Sequence, residues 1–475
     1  MIASCKGLDM RFNFNKLGPI HEGEIELANL TVLCGKNNTG KTYITNSIYS
    51  YLTKWKELID WSLPEILEKE LYENAVASID LNEFIVTKLD SLTKKSAENL
   101  RNRLGNYFAC SDTIFEETNF EINIKLKDEW IEREYDNDFR SSSGKVFLSI
   151  KKPSNSTIAE IISTEVDGAP PLYILDDVIS QTLISIVLST NIPTTFIASA
   201  ERTGASIFKN ELNFNKNQLV RMLTEMDSSP ASKFHPYDLV RKFKRNYAIS
   251  VEDNVEFIAN LPDLIQSSSQ TSFINNNPHL VRKFEEISGG KYQINKEGNL
   301  YFIPTASKRS KLGLGESSSA VRSLMIIWYW LNYKSNVNDL LMVDEPELNL
   351  HPENQRKFAQ FIAELVNAGI KVFMTTHSDY IIRELNTLIL LNSDKNHVKK
   401  VMEKFGYNEN DVLDGKNINI YYTSTGLFQV NANSKKKRLG CIEKLDITEN
   451  GIKIISFDEE IRAMNKIQDA LIYGL

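Results

Sequence analysis

The sequence predicts an α/β fold: a mixed sheet flanked by helices, built on a phosphate-binding loop (P-loop) and carrying helical and β insertions. Three observations predict it. Gly35-Lys36-Asn37-Asn38-Thr39-Gly40-Lys41-Thr42 is a complete G-x-x-x-x-G-K-T loop between the apolar run Leu30–Cys34 and the helical pattern Tyr43–Trp55, the strand–loop–helix context this motif needs. Between Ser319 and Leu390 helical and strand patterns alternate, as they do where helices cover a parallel sheet. Leu340-Leu341-Met342-Val343 is an unbroken apolar run ending in Asp344-Glu345, and a strand buried on both faces reads that way.

The elements follow in order. Met10–Phe14 and Glu24–Leu27 alternate at period two and read as strands before the phosphate-loop strand. Residues from about 57 to 105 read as helices rich in Leu, Glu and Lys, with Pro64 at a helix start. Phe120–Leu126 and Lys145–Lys151 alternate as strands, Leu175–Leu188 is helical, and Thr194–Ala198 is a short β run entering Ser199-Ala200-Glu201-Arg202-Thr203-Gly204. Residues 210–289 read as mostly helical with Ser/Pro/Asn breaks. A hairpin follows, Lys291–Ile294 and Asn299–Ile303. Then come helix Ser319–Tyr333, strand Leu340–Asp344, helix Pro352–Ala368, strand Lys371–Thr375 and helix Asp379–Leu390. Beyond these, Ile418–Ser424, Leu427–Val430 and Ile452–Ser456 read as strands and Glu459–Ile472 as a helix.

Composition narrows the class. The net charge of −7 argues against a global basic field for nucleic acid. No apolar run reaches the roughly 20 residues that span a bilayer, and the first residues lack a secretory apolar core. Cys5, Cys34, Cys110 and Cys441 lie far apart without a C-x-x-C pair, so neither zinc nor a disulfide framework is suggested. A cytoplasmic protein without a membrane partner is expected.

The chemistry-bearing residues cluster in four places. In the loop, Gly35, Asn37, Asn38, Thr39 and Gly40 curl backbone N–H groups around phosphates, Lys41 reaches the terminal phosphates and the Thr42 hydroxyl ligates Mg²⁺. At the acidic strand end, Asp344 is a second Mg²⁺ ligand and Glu345 polarises an attacking water, against the blander reading of a solvated acidic loop. His377 ends the next strand, where it would sense the γ-phosphate; a lone histidine is otherwise a surface or core residue. Ser317-Ser318-Ser319 open the helix that runs to Tyr333, as caps, as an anion site, or as both.

This order of phosphate loop, serine-rich signature, acidic strand end, Leu348-Asn349-Leu350-His351-Pro352 and switch histidine resembles the head of an ABC-type ATPase. It is most similar to the RecF, SMC and overcoming-lysogenization-defect branch, and within it to the AAA family ATPases of bacterial anti-phage defence systems such as PARIS or Septu. Ala200-Glu201-Arg202-Thr203-Gly204 falls where relatives carry a Q-loop-like element, with Glu201 in place of a glutamine. The resemblance divides the chain into a head lobe 1–56, a helical and β insert 57–190, a head segment 191–209, a helical insert 210–289 and a second head lobe 290–475. It implies ATP and Mg²⁺ bound between two heads of a homodimer or higher homo-oligomer. Ser318 and Ser319 would touch the γ-phosphate in trans, and Asn349 and His351 would lie near the seam. The family's usual Gly after the signature serine is Ala320 here. The resemblance also implies a sensor ATPase that controls a separately encoded nuclease or toxin effector, triggered by a phage protein or nucleic acid.

Two alternatives stay open. One is a DNA-repair or chromosome-associated ATPase of the RecF or SMC kind. The other is a nuclease of the overcoming-lysogenization-defect kind, for which Asp458-Glu459-Glu460 is the available acidic cluster; acids at a helix start also simply favour the helix dipole. The basic runs Arg241–Arg245, Lys308–Lys311 and Lys435–Arg438 read as solvated faces or as a local phosphate-backbone track.

Overall fold

Among the described residues nine strands form the main sheet, and their order is what gathers the site. A computed structural model describes residues 10–141, 143–164, 172–207, 247–295, 298–307, 309–393, 397–428, 437–448, 451–452 and 464–471. The sheet's strands are β1 (Met10–Leu17), β2 (Ile20–Glu26), β3 (Leu30–Gly35), β4 (Asn119–Ile124), β5 (Thr195–Ala198), β6 (Leu340–Val343), β7 (Lys371–Thr376), β8 (Ile418–Phe428) and β9 (Lys437–Leu445). They lie in the order β4-β1-β2-β9-β8-β3-β7-β6-β5. From β8 to β5 every neighbouring pair is parallel. The β8–β9, β1–β2 and β1–β4 pairs are antiparallel, so the sheet is mixed.

Alternation along the parallel strands explains their burial. Val32, Leu341, Val343, Val372 and Met374 enter one apolar cluster, whereas Leu33, Leu340, Met342 and Phe373 enter the other. Period-two side chains of a strand covered on both faces sort this way. The phosphate-loop helix Lys41–Leu58 covers one face through Ile44, Ile48 and Leu52. Helices Ser319–Tyr333, Pro352–Asn367 and Asp379–Leu390 cover the other.

Smaller elements flank this core. Val76–Asp80, Ile158–Ser163, Val146–Lys152 and Tyr135–Arg140 make a four-stranded antiparallel sheet. Gly290–Ile294, Leu300–Pro304 and Leu312–Gly313 make a three-stranded one. No described helix is long and apolar enough to cross a membrane.

Two expectations need correction. The stretch 57–105 is not wholly helical, because Val76–Asp80 leaves it to pair with Ile158–Ser163. Ile418–Ser424 and Leu427 onward form one strand rather than two, because β9 pairs without a break from Ile420 to Phe428. Lys437 and Arg438 start β9 and are exposed there, as a solvated basic face would be. Arg241–Arg245, Lys308, Lys435, Lys436 and Asp458-Glu459-Glu460 lie outside the described residues.

Candidate functional site

Parallel strands present their C-terminal ends to one edge, where open α/β sheets bind ligands. Cα partners align Cys34 with Thr376, Val343 with Met374 and Val343 with Ala198. The phosphate loop, the acidic turn and the switch histidine therefore leave adjacent strands at one edge. A cleft of about 730 Å³ lies there, lined by Asn37 to Tyr43, Glu345, Glu347, Leu348, His377 and Pro19.

The loop's shape rests on its glycines. Gly40 caps the helix Lys41–Leu58 in the left-handed region, φ 94°, and an added Cβ would come within 2.8 Å of Ile20 Cγ1. At Gly35, φ is 145° and a Cβ would sit 2.1 Å from Thr423 Oγ1. That hydroxyl lies 2.5 Å from Thr39 Oγ1 and donates to Cys34 O at 3.3 Å. Thr39 in turn donates to Lys36 O at 2.7 Å. Lys41 is buried at the helix start, where its ammonium donates to Lys36 O at 2.7 Å and Gly35 O at 3.2 Å. Burial pulls it below the ordinary lysine range, against the carboxylates of Glu345 and Asp344. Thr42 is exposed to the cleft.

The acidic turn is held from several sides. Asp344 is 5% exposed and accepts a hydrogen bond from Thr375 Oγ1; burial pushes its carboxyl up to about 6. Glu345 adopts φ 48°, a left-handed conformation that costs a non-glycine residue about 1–2 kcal/mol. Its N–H donates to Thr375 Oγ1 at 3.1 Å, and its Oε1 lies 3.0 Å from His377 Nε2. The His377 contact holds the Glu345 carboxyl below its ordinary range despite burial. Glu347 accepts from Thr376 Oγ1 at 3.0 Å and from the His377 N–H at 2.5 Å, and burial raises its carboxyl. Sequence reasoning had not singled out Glu347, Thr375 or Thr376. The run Asp344-Glu345-Pro346-Glu347 and the Thr375-Thr376-His377 sequence were the signals for them.

Ser318 and Ser319 are not among the residues lining the cleft. Ser318 caps the helix Ser319–Tyr333, accepting from Val321 N at 3.3 Å. Arg322 braces this end by donating to Ser317 O, to Leu314 O at 3.3 Å and to Ser319 Oγ at 3.1 Å. Asn349 is exposed with φ 64°, and His351 caps the helix Pro352–Asn367.

Glu201 is exposed, whereas Arg202 is 1% exposed beneath the acidic turn. Its guanidinium donates to Ser199 O at 2.8 Å, Asp344 O at 2.6 Å, Glu345 O at 2.9 Å and Ser323 O at 3.0 Å. Burial pulls it down to about 10, opposed by Asp344, Glu347, Glu345 and Glu201. Asn254, fully buried, holds the strand below: it accepts from Ser199 N at 3.0 Å and donates to Ile197 O at 2.6 Å.

No curated protein matches the sequence. Among solved structures the chain is similar to an SMC head bound to the C-terminal winged-helix domain of ScpA, at 10% identity over 92% of this chain and 98% of that one, TM-score 0.35. It is also similar to an SMC head with an extended coiled coil bound to the C-terminal domain of ScpA derived from Pyrococcus furiosus, at 11% identity over 96% and 98%, TM-score 0.32. A third is the SMC head from Thermotoga maritima, at 10% identity over 92% and 98%, TM-score 0.29. At such scores these likenesses carry no weight in the assignment. The family match does: residues 15–382 match the AAA ATPase domain. With the phosphate loop, acidic turn and switch histidine on adjacent parallel strands, this α/β chain belongs to the AAA ATPase domain family.

Proposed function

We propose that this chain is a magnesium-dependent ATPase working as a head-to-head ABC-type dimer. The observation that carries the reading is the convergence of Lys41, Glu345 and His377 on one cleft. The residues present fit the nucleotide and its metal. Gly35 and Gly40 fix the loop's curl, because Thr423, Pro19 and Ile20 leave no room for a Cβ at either position. Lys41 is a buried cation whose hydrogen bonds, among the described residues, go to carbonyls of its own loop. Thr42 and Asp344 offer the hard oxygen donors Mg²⁺ prefers.

Bound Mg²⁺ would neutralise charge on the phosphoryl group as it transfers. Loop N–H groups and Lys41 hold the phosphates. Glu345, kept ionised by His377, accepts a hydrogen bond from the attacking water and orients it. His377 keeps Glu345 aimed at the cleft through the 3.0 Å contact. Ser318 and Ser319, outside the cleft of their own head, complete the cleft of a second one.

The finer role is a sensor and regulatory ATPase of an anti-phage defence system that controls a separate nuclease or toxin effector. Its support is the sequence resemblance in Asn37-Asn38-Thr39-Gly40-Lys41-Thr42 and Asp344-Glu345-Pro346-Glu347-Leu348-Asn349-Leu350-His351-Pro352. Phosphate release from ATP and Mg²⁺ tests the chemistry: Lys41→Ala should remove turnover and leave the melting temperature unchanged, and unchanged turnover sinks the site. Co-expression with the adjacent gene tests the role, a stable complex being expected. Free nuclease activity of the pure chain, retained in Lys41→Ala, would favour the nuclease alternative.

A further inference from the structure

Arg202 differs from the other buried cations in what it joins. Lys283 faces carboxylates, Lys41 bonds carbonyls of its own loop, and Lys152 bonds the carbonyls of Ile131, Pro153 and Ser156. Arg202 is sealed beneath the sheet edge, and its guanidinium donates to four backbone carbonyls. The carbonyls come from three separate chain segments. Ser199 follows β5, Asp344 and Glu345 follow β6, and Ser323 lies one turn into the helix that Ser318 caps.

A planar fork with fixed N–H directions suits this task, and an ammonium does not. Two of the four bonds clamp the carbonyls on either side of the left-handed turn that aims Glu345. Another holds the signature helix against the same group. A displacement of that helix along its axis therefore has to move or break the bond from Arg202 Nε to Ser323 O, and through it the carbonyl of Glu345. Among the described residues no other side-chain hydrogen bond joins the signature helix to the acidic turn.

We propose that Arg202 is a positioning residue that couples the signature helix to Glu345, so that the water-orienting carboxylate is aligned only when the helix is seated. The inference rests on the ATPase reading above. It deepens that reading by assigning, within one head, the link between the surface that meets a partner and the group that orients water. Ser319 Oγ is tied to Arg322 on this same helix end, so contact at the serines reaches the helix as a body.

The test compares Arg202→Lys and Arg202→Met with the unaltered protein for ATP affinity, kcat and melting temperature. Arg202→Lys keeps a charge and most of the volume but loses the fork. It should bind ATP within about threefold of the unaltered protein, melt near it, and turn over at least tenfold more slowly. Arg202→Met should be slow and less stable. A purely structural arginine would instead lose kcat and melting temperature together and be rescued in both by lysine.

Adding Arg202→Lys to Glu345→Gln should cause no further loss of the residual rate, because a residue that acts through Glu345 has nothing left to act on. A further tenfold loss overturns the coupling. So does unaltered kcat in a folded Arg202→Lys. If neither variant folds, amide exchange of the native protein decides. Segments 319–327 and 343–347 should change protection together when ATP and Mg²⁺ are added, and independent responses overturn the proposal. An unaltered protein with no Lys41-dependent turnover would instead bring down the ATPase reading itself, so the two failures are told apart.

Discussion

Asp339 closes the turn before β6, with Oδ2 accepting from Asn336 N at 2.8 Å. Burial pushes its carboxyl up to about 6 from an ordinary 3.8. A folded acid with a raised pKa binds its proton more tightly than the unfolded chain does. Stability therefore falls as pH rises from about 4 to about 6, and the full penalty persists above that. Asp339→Asn keeps the acceptor and loses the charge. It should be more stable than the parent by about 1–2 kcal/mol at pH 8, from 1.36 kcal/mol per pKa unit discounted for partial exposure, and equal to it near pH 4; thermal melts at the two pH values check this. At this scale the sequence spoke clearly for some residues and not at all for others. Lys41 and Thr42 could be read because the loop that holds them is continuous in the chain, and Glu345 because it directly ends an apolar strand run. Arg202 could not, because its carbonyl partners at Ser323, Asp344 and Glu345 lie 121 to 143 residues away.

Between elements, buried charge fixes how the helices sit on the sheet. Lys283, in helix Pro278–Ser288, donates to Glu364 of helix Pro352–Asn367 at 2.7 Å and to Asp411 at 2.5 Å. Both acids are nearly sealed from solvent. Lys283→Met would strand two buried carboxylates and should cost about 3–5 kcal/mol, the usual penalty for breaking a buried pair from one side. Urea denaturation reads this as a lower midpoint with an unchanged slope. Helices Ser319–Tyr333 and Asp379–Leu390 were legible to the residue, since a polar cap precedes each apolar stripe. Strand β9 was not. Its first residues, Lys437 and Arg438, are exposed and hide the pattern that Cys441 and Ile442 begin to show. Val76–Asp80 was lost inside a helical-looking run because its partner, Ile158–Ser163, lies far along the chain.

For the whole molecule, the signature serines outside their own cleft set the expectation of a two-headed assembly. Glu345→Gln should bind ATP, hydrolyse it at least a hundredfold more slowly, in line with the 10²–10⁴-fold contribution of general bases, and accumulate as a dimer. Light scattering with ATP and Mg²⁺ should show the doubled mass; a monomer with parental turnover would show that Glu345 orients no water. The order of the sheet also has a consequence for how the protein is made. β3 leaves the ribosome early, yet its two sheet neighbours, β7 and β8, are Lys371–Thr376 and Ile418–Phe428. Thr423, the hydroxyl that packs on the phosphate loop, is 384 residues from its partner Thr39. At 5–20 residues per second the loop waits roughly 20–80 seconds for that wall. Until β7 and β8 have been made, β3 lacks both of its sheet partners, and an open strand edge is a template for mispairing. The wall that Thr423 sets against the phosphate loop can close only after β8 is made, so the loop's final shape is among the late features of the head.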